Sequence, residues 1–97
     1  MKHAFHPAAE AEHLEQVAFY ESRQAGLGMR YHAEVMAALE RAYESPQRFA
    51  VERPSGLRRL VLRQFPLTLY FRVLGITLQV LAVAHHRRRP GYWGTRL

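Results

Sequence analysis

Apolar residues recur along this chain with two periods, one typical of helices and one typical of strands. In residues 8–25 and again in residues 28–44 they recur every three or four positions, which predicts two helices. After residue 56 the period falls to two in three successive stretches, which predicts three strands. A short alternation over residues 2–6 predicts one more strand ahead of the helices. The predicted order is therefore β-α-α-β-β-β.

Turn and cap residues separate these elements. Pro7 suits the first position of a helix, and Gly26 is expected to end that helix in a left-handed conformation. Ser45-Pro46 closes the second helix, so the two helices form a hairpin with a very short link. Leu74-Gly75 makes a tight turn between the last two strands, and short turns between consecutive strands predict an antiparallel meander.

The same periods assign a buried face to each element. The first helix is expected to bury Ala11, Leu14, Val17, Ala18 and Ala25. The second is expected to bury Tyr31, Val35, Ala38, Leu39 and Ala42. The strand positions expected to face the helices are Leu60, Leu62, Leu67, Leu69, Phe71, Val73, Ile76, Leu78, Val80, Ala82 and Ala84. We therefore expect a single α+β domain over residues 1–97, in two layers, with a helix hairpin packed on a mostly antiparallel sheet.

Charge is distributed unevenly along the 97 residues. Lysine and arginine total 14 against 8 acidic residues, and every acidic residue is a glutamate at or before Glu52. Residues 53–97 therefore carry nine arginines and no carboxylate. A one-sided basic half predicts an anionic partner, either a nucleic acid or an acidic protein that covers it.

Several classes of protein are disfavoured by composition. The chain has no cysteine, which excludes a disulfide framework and a thiolate metal site. Neither aspartate nor a metal-binding histidine spacing accompanies its histidines, so we expect no metal and no cofactor. The first twelve residues lack the apolar stretch of a signal peptide, and no apolar run is long enough to span a bilayer. We expect a cytoplasmic protein without a membrane partner.

The stretch AHHRRRPGYW, residues 84–93, is the candidate reactive segment. A histidine base, an arginine clamp and a tyrosine hydroxyl are the parts needed to cleave RNA through its own 2′-hydroxyl. The plain alternative is a pair of surface or structural histidines beside solvated arginines. Four residues on the open sheet face are expected to line the approach: Arg59, Arg63, Tyr70 and Arg72.

The geometry of this segment depends on how the last strand ends. If the strand runs straight through residue 86, His86 points with Ala84 toward the helices and His85 faces the open side. A bulge, or an end of pairing near Ala84, would free His86 for the open side. Trp93 is expected to anchor the tail on the core after the Pro90-Gly91 turn. For Tyr92, anchoring and contact with a ligand remain open.

Several segments together resemble the RelE/ParE superfamily of toxins from type II toxin–antitoxin systems. They are FHPAAEAEHLEQVAFYE, GLGMRY, the SP that ends the second helix, LRRLVLRQFPLTLYFRV and VLAVAHHRRRPGYW. The resemblance implies a bacterial toxin that a cognate antitoxin neutralises. It implies one of two actions, since the ParE branch inhibits DNA gyrase whereas the RelE branch cleaves messenger RNA on the ribosome.

The resemblance also assigns roles to residues of this sequence. In the RelE-like case the catalytic set is His86, Tyr92, Arg59 and Arg88, with Val61 and Thr68 standing where that branch has basic residues. Apart from the resemblance, the basic cluster itself predicts contact with a target or nucleic acid through Arg63, Arg72, His85, Arg87 and Arg89. We place gyrase inhibition ahead of ribosome-dependent RNA cleavage, and an inactive toxin-like binding domain remains a third hypothesis. A chain ending at Ala84 keeps both helices and the three long strands, so we expect it to fold but to lose toxicity.

Overall fold

The elements follow one another in the predicted order. The computed structural model describes all 97 residues. It contains β1 (His3–Phe5), α1 (Pro7–Arg23), α2 (Leu27–Glu44), β2 (Arg58–Val61), β3 (Leu67–Leu74) and β4 (Thr77–His85). Two 3₁₀ helices, Pro46–Arg48 and Tyr92–Arg96, complete the chain. The predicted α+β class with a helix hairpin on a sheet is confirmed.

The four strands form one mixed sheet in the order β1-β4-β3-β2. Strands β2, β3 and β4 make the predicted antiparallel meander, and β1 pairs in parallel with β4 over Leu78–Val80 only. The edge of β4 beyond Val80 therefore has no neighbouring strand, so its backbone polar groups need other partners.

Local chemistry explains how the helix hairpin is built. Pro7 begins α1, and the His6 ring accepts a hydrogen bond from the Ala8 N–H at 3.1 Å. Gly26 adopts a φ of 86°, which is the left-handed conformation that the sequence predicted. A Cβ on Gly28 would lie 2.5 Å from the Val17 carbonyl oxygen, so α1 and α2 approach closely only because that residue is glycine.

The predicted buried face is right for α2 but, apart from Val17, which packs on the core, it is wrong for α1. All five residues predicted for α2 are fully buried. In α1, however, Leu14 is 60% exposed, and Ala11 and Ala18 are also exposed. Ala25 lies beyond the end of α1 and is exposed as well. The face that packs on the core contains Ala9 and His13 instead. Because His13 counts as a polar residue, the apolar period alone pointed to the adjacent stripe of the helix.

A β-bulge changes which residues of β4 face the helices. Phe71 pairs with Val80 while Tyr70 pairs with Ala82, so Leu81 is an extra residue in β4. Beyond it, Val83 joins the core beneath the helices, whereas Ala82 and Ala84 lie in a second cluster. Their predicted place on the helix-covered face is therefore wrong. Ile76 is also outside that face, since it lies in the turn before β4 and is 69% exposed.

The second core cluster joins the chain's end to the sheet. Its buried residues are Leu57, Leu81, Ala82, Ala84 and Trp93. Trp93 is 1% exposed and stacks on Tyr70 with ring centroids 3.9 Å apart, so its predicted anchoring is confirmed. The C-terminal 3₁₀ helix thus adds a local third layer over part of the face that we expected to be open. A chain ending at Ala84 would uncover this cluster, which argues against the expectation that it folds.

No helix has both the length and the apolar composition needed to cross a bilayer. No group of three or more histidine, cysteine, aspartate or glutamate side chains is arranged to hold a metal ion.

Candidate functional site

Residues 86–91 form a basic loop between β4 and the C-terminal 3₁₀ helix. His86, Arg87, Arg88 and Arg89 are all exposed. The Arg87 N–H donates to the His85 ring at 3.1 Å, and the Arg88 N–H donates to the His85 carbonyl at 2.9 Å. These bonds turn the chain away from the sheet immediately after β4 and present three consecutive arginines to solvent.

The bulge at Leu81 places His86 on the side of the sheet away from the helices. Its Nε2 lies 3.0 Å from the Thr68 hydroxyl, and its N–H donates to the Pro66 carbonyl at 2.9 Å. The arrangement required for His86 to face the open side is therefore present, and its cause is a bulge upstream of Ala84. His85 has the opposite orientation, because it borders a cleft lined by α1 residues Glu12, Glu15 and Gln16.

A shallow pocket of about 200 Å³ lies between the basic loop and the ends of β3 and β4. Its lining residues are Thr68, Tyr70, Ala84, His85, His86, Arg88, Pro90 and Trp93. It offers the Thr68 hydroxyl, the His86 imidazole and the Arg88 guanidinium to an anionic group, beside the Tyr70–Trp93 stack.

Tyr92 is half-buried and does not line this pocket. Its hydroxyl donates to the Val83 carbonyl at 3.5 Å, and the Arg88 guanidinium lies 3.6 Å from its ring centroid. Burial raises the pKa of the Tyr92 phenol, and the nearby Glu12 carboxylate raises it further. The Tyr92 hydroxyl is therefore a protonated, structurally engaged group.

Glu12 organises the free edge of β4. Its carboxylate accepts the Val83 N–H at 3.0 Å and forms ion pairs with Arg96 at 2.9 Å and Arg88 at 3.3 Å. Arg96 also donates to the Leu81 carbonyl at 3.0 Å. Burial would raise the pKa of Glu12, but the hydrogen bonds from Arg96 and from the Val83 N–H outweigh it and lower that pKa. We call Glu12, Arg88 and Arg96 the Glu12 clamp.

Sequence reasoning missed this clamp. Glu12 has no assigned role in the sequence-based prediction, and Arg96 is not included in the predicted site. The two residues lie 84 positions apart. No local pattern links them, and the strand edge that they cover is created by the short length of β1.

The remaining predicted arginines occupy different places. Arg59 is exposed on β2 in register with Tyr70, and its charge acts on the Tyr70 phenol. Arg72 donates from Nε to the Gln79 side chain at 2.8 Å. Arg63 lies in the β2–β3 loop, where its N–H donates to Glu34 of α2 at 3.0 Å, and it does not line the pocket.

The structure therefore brings only part of the predicted set together. His86 and Arg88 border one pocket, and Arg59 lies beside Tyr70 in its floor. The Tyr92 hydroxyl is bonded to the β4 edge outside that pocket. Arg87 and Arg89 extend from the loop without a side-chain hydrogen bond within the chain.

Comparison with known proteins agrees with the resemblance found in the sequence. Residues 4–90 match the family model described as the ParE toxin of the type II toxin–antitoxin system, parDE. Among solved structures, the chain is similar to one from the "Chromosomal ParDE TA system from P. aeruginosa", with a TM-score of 0.70 and 19% identity. The alignment covers 88% of this chain and 95% of that one, and at this identity it shows a shared fold. No curated protein sequence matches.

Proposed function

The chain belongs to the ParE toxin family of type II toxin–antitoxin systems, and on that basis we propose that it inhibits DNA gyrase until a cognate antitoxin neutralises it. Gyrase inhibition by this family is an activity of binding rather than of bond cleavage. The rival activity, ribosome-dependent RNA cleavage, requires a base, an acid and a cationic clamp around one phosphodiester.

The placement of Tyr92 is the observation that carries this choice. A general acid must reach the leaving oxygen while the general base faces the attacking hydroxyl. His86 borders the pocket, but the Tyr92 hydroxyl bonds the Val83 carbonyl outside it. Arg88 is held over the Tyr92 ring and by Glu12. These contacts favour a structural role for two of the four residues that RNA cleavage would use.

The test separates catalytic from binding residues by single substitutions. A gyrase inhibitor should keep its toxicity in His86→Ala and Tyr92→Phe, because neither change removes a binding charge. Arg87→Glu should weaken toxicity, since it reverses a charge on the exposed loop. Each variant is expressed in cells, and intact messenger RNA is scored beside induction of the DNA damage response.

A matched control is Arg30→Glu, which makes the same charge reversal on the exposed surface of α2. It should leave toxicity unchanged if the basic loop is the contact. The RNA-cleaving alternative would be established if messenger RNA is cleaved while DNA stays undamaged, and if His86→Ala or Tyr92→Phe lowers the cleavage rate about 10²-fold.

The antitoxin is expected to be acidic and to cover the arginine-rich half of the chain. Electrostatic attraction accelerates the association of oppositely charged proteins, and salt screens it. The association rate constant with the cognate antitoxin should therefore fall as the salt concentration rises. A rate constant independent of salt would contradict this part of the proposal, which also places toxin, antitoxin and target together in the cytoplasm.

A further inference from the structure

The helix hairpin and the rest of the chain carry opposite charges. Residues 7–44 contain seven glutamates and three arginines. Residues 45–97 contain ten arginines and a single glutamate, Glu52. Because the helices cover one face of the sheet, Arg59, Arg72 and the arginines of the basic loop are left to the opposite face and its end. The fold thus converts a sequence asymmetry into an electrically polarised molecule.

Most of this positive charge has no partner within the chain. Arg88 and Arg96 are the only arginines that form ion pairs, and both pair with Glu12. Arg59, Arg87 and Arg89 are exposed and donate no side-chain hydrogen bond. Glu52, which acts on Tyr70, is the acidic group on this side and does not ion-pair with Arg59. Mutual repulsion among these arginines would be relieved by a bound polyanion.

The unpaired arginines flank the pocket that contains Thr68 and His86. Arg59 on β2 lies two strands away from β4, and the basic loop lies several residues further along β4 than the position opposite Arg59. The strand spacing and rise per residue put Arg59 and the basic loop on the order of 17 Å apart. That length equals about five base-pair steps of duplex at 3.4 Å each. We call Arg59, Arg87 and Arg89 the basic face.

We propose that the basic face binds the sugar–phosphate backbone of duplex DNA, namely the DNA that gyrase holds. This inference rests on the proposed function and adds a second partner to it. Guanidinium forks and hydroxyls are the usual contacts to phosphate. The toxin would therefore bind the complex of gyrase with DNA more tightly than it binds gyrase alone.

The chemistry of the surface favours duplex backbone over the other anionic partners. Recognition of single-stranded RNA relies on exposed aromatic rings that stack on bases. Here Trp93 is buried and covers one face of the half-buried Tyr70 ring, so neither ring is fully exposed for stacking. The centre of a protein interface is apolar. Beside the basic face, Val61 is an exposed large apolar side chain, and one such side chain does not make an apolar centre.

The experiment measures the binding of the full chain to a fluorescent 20-base-pair duplex by anisotropy over a range of salt concentrations. The double variant Arg87→Gln/Arg89→Gln should weaken binding tenfold or more. Its plot of log affinity against log salt should be shallower by about 1.8, since each lost phosphate contact contributes about 0.9. Both residues are exposed and unpartnered, so the variant should fold normally.

The matched control is Arg30→Gln/Arg41→Gln, which removes two charges from exposed positions on α2. It should change duplex affinity by less than about twofold. Equal weakening by the two double variants would overturn the proposal, because binding would then follow total charge alone. Tighter binding of single-stranded RNA of the same length would also overturn it.

A supercoiling assay with gyrase separates this inference from the function on which it rests. If the chain inhibits gyrase but does not bind the duplex, the basic face is refuted and gyrase inhibition stands. If the chain binds the duplex through the basic face but leaves supercoiling unaffected, the binding surface stands and the proposed function fails. Tighter binding to gyrase with DNA than to gyrase alone, lost in Arg87→Gln/Arg89→Gln, would support both.

Discussion

Replacing Trp93 with alanine should remove most of the stability that the second core cluster supplies. Trp93 is 1% exposed and packs against Tyr70, Leu81 and Ala84. Burial of roughly 200 Å² at about 25 cal/mol per Å² corresponds to about 5 kcal/mol. Measured truncations of buried tryptophan cost about 3–5 kcal/mol. The free energy of unfolding of a domain of this size is about 5–15 kcal/mol, so the loss is a large share of the total.

The assay is thermal and urea unfolding of purified Trp93→Ala, followed by far-ultraviolet circular dichroism. A loss of 3 kcal/mol or more should lower the Tm by at least about 12 °C in a domain of this length. Thr95→Ala, an exposed position in the same 3₁₀ helix, is the control and should change stability by less than about 0.5 kcal/mol. A Trp93→Ala protein within about 1 kcal/mol of the parent would refute the reasoning, and a chain ending at Ala84 would then be expected to fold.

The side chains of Glu12 and His13 give predictions about stability and its dependence on pH. Glu12→Gln should cost about 1–3 kcal/mol at pH 7 in urea unfolding, because it removes the charge that pairs with Arg96. The pKa of Glu12 is lower in the folded protein than its unfolded value of 4.5. The charged carboxylate therefore adds to the free energy of unfolding above pH 4.5, and this contribution is lost as the pH falls through the folded pKa. The stability difference between the parent and Glu12→Gln should shrink at pH 3, and a difference independent of pH would contradict this. Burial, with the charge of His32 adding to it, lowers the pKa of His13 to about 4. Below pH 6.5 His13 binds a proton in the unfolded chain but stays neutral in the folded protein. The urea midpoint should therefore decrease as the pH is lowered from 6.5 to 4, and His13→Phe should make the midpoint depend less on pH.

The sequence predicted an element correctly wherever a single period dominated it. The α2 face, Tyr31 to Ala42, is apolar at every buried position, so its period left one solution. The predicted face of α1 was mostly wrong because His13, a polar residue, is buried in the core. Its 2.9 Å hydrogen bond to His32 satisfies one ring nitrogen there, and such a contact cannot be read from the sequence of one helix. Trp93 was predicted to anchor the tail because the preceding turn allows the chain to fold back.

The site could be predicted only in part, for two physical reasons. In β4 the run around Leu81 is apolar on both faces, so alternation cannot locate a bulge there, yet that bulge decides which way His86 points. The Glu12 clamp depends on Arg96 reaching a strand edge that a short β1 leaves open. Which arginines are left without an ion pair depends on Glu12 of α1, and its partners could not be read from the sequence.

The central claim is that the chain inhibits DNA gyrase and does not cleave messenger RNA. Its most direct test is the supercoiling of relaxed plasmid by purified gyrase in the presence of the purified chain. A ribosome-dependent translation reaction, in which messenger RNA length is followed, is run beside it. The account predicts that supercoiling is inhibited in proportion to the toxin added, that His86→Ala and Tyr92→Phe inhibit as the parent does, and that messages stay intact. Cleaved messages in the translation reaction, with supercoiling unaffected at the same toxin concentration, would contradict it.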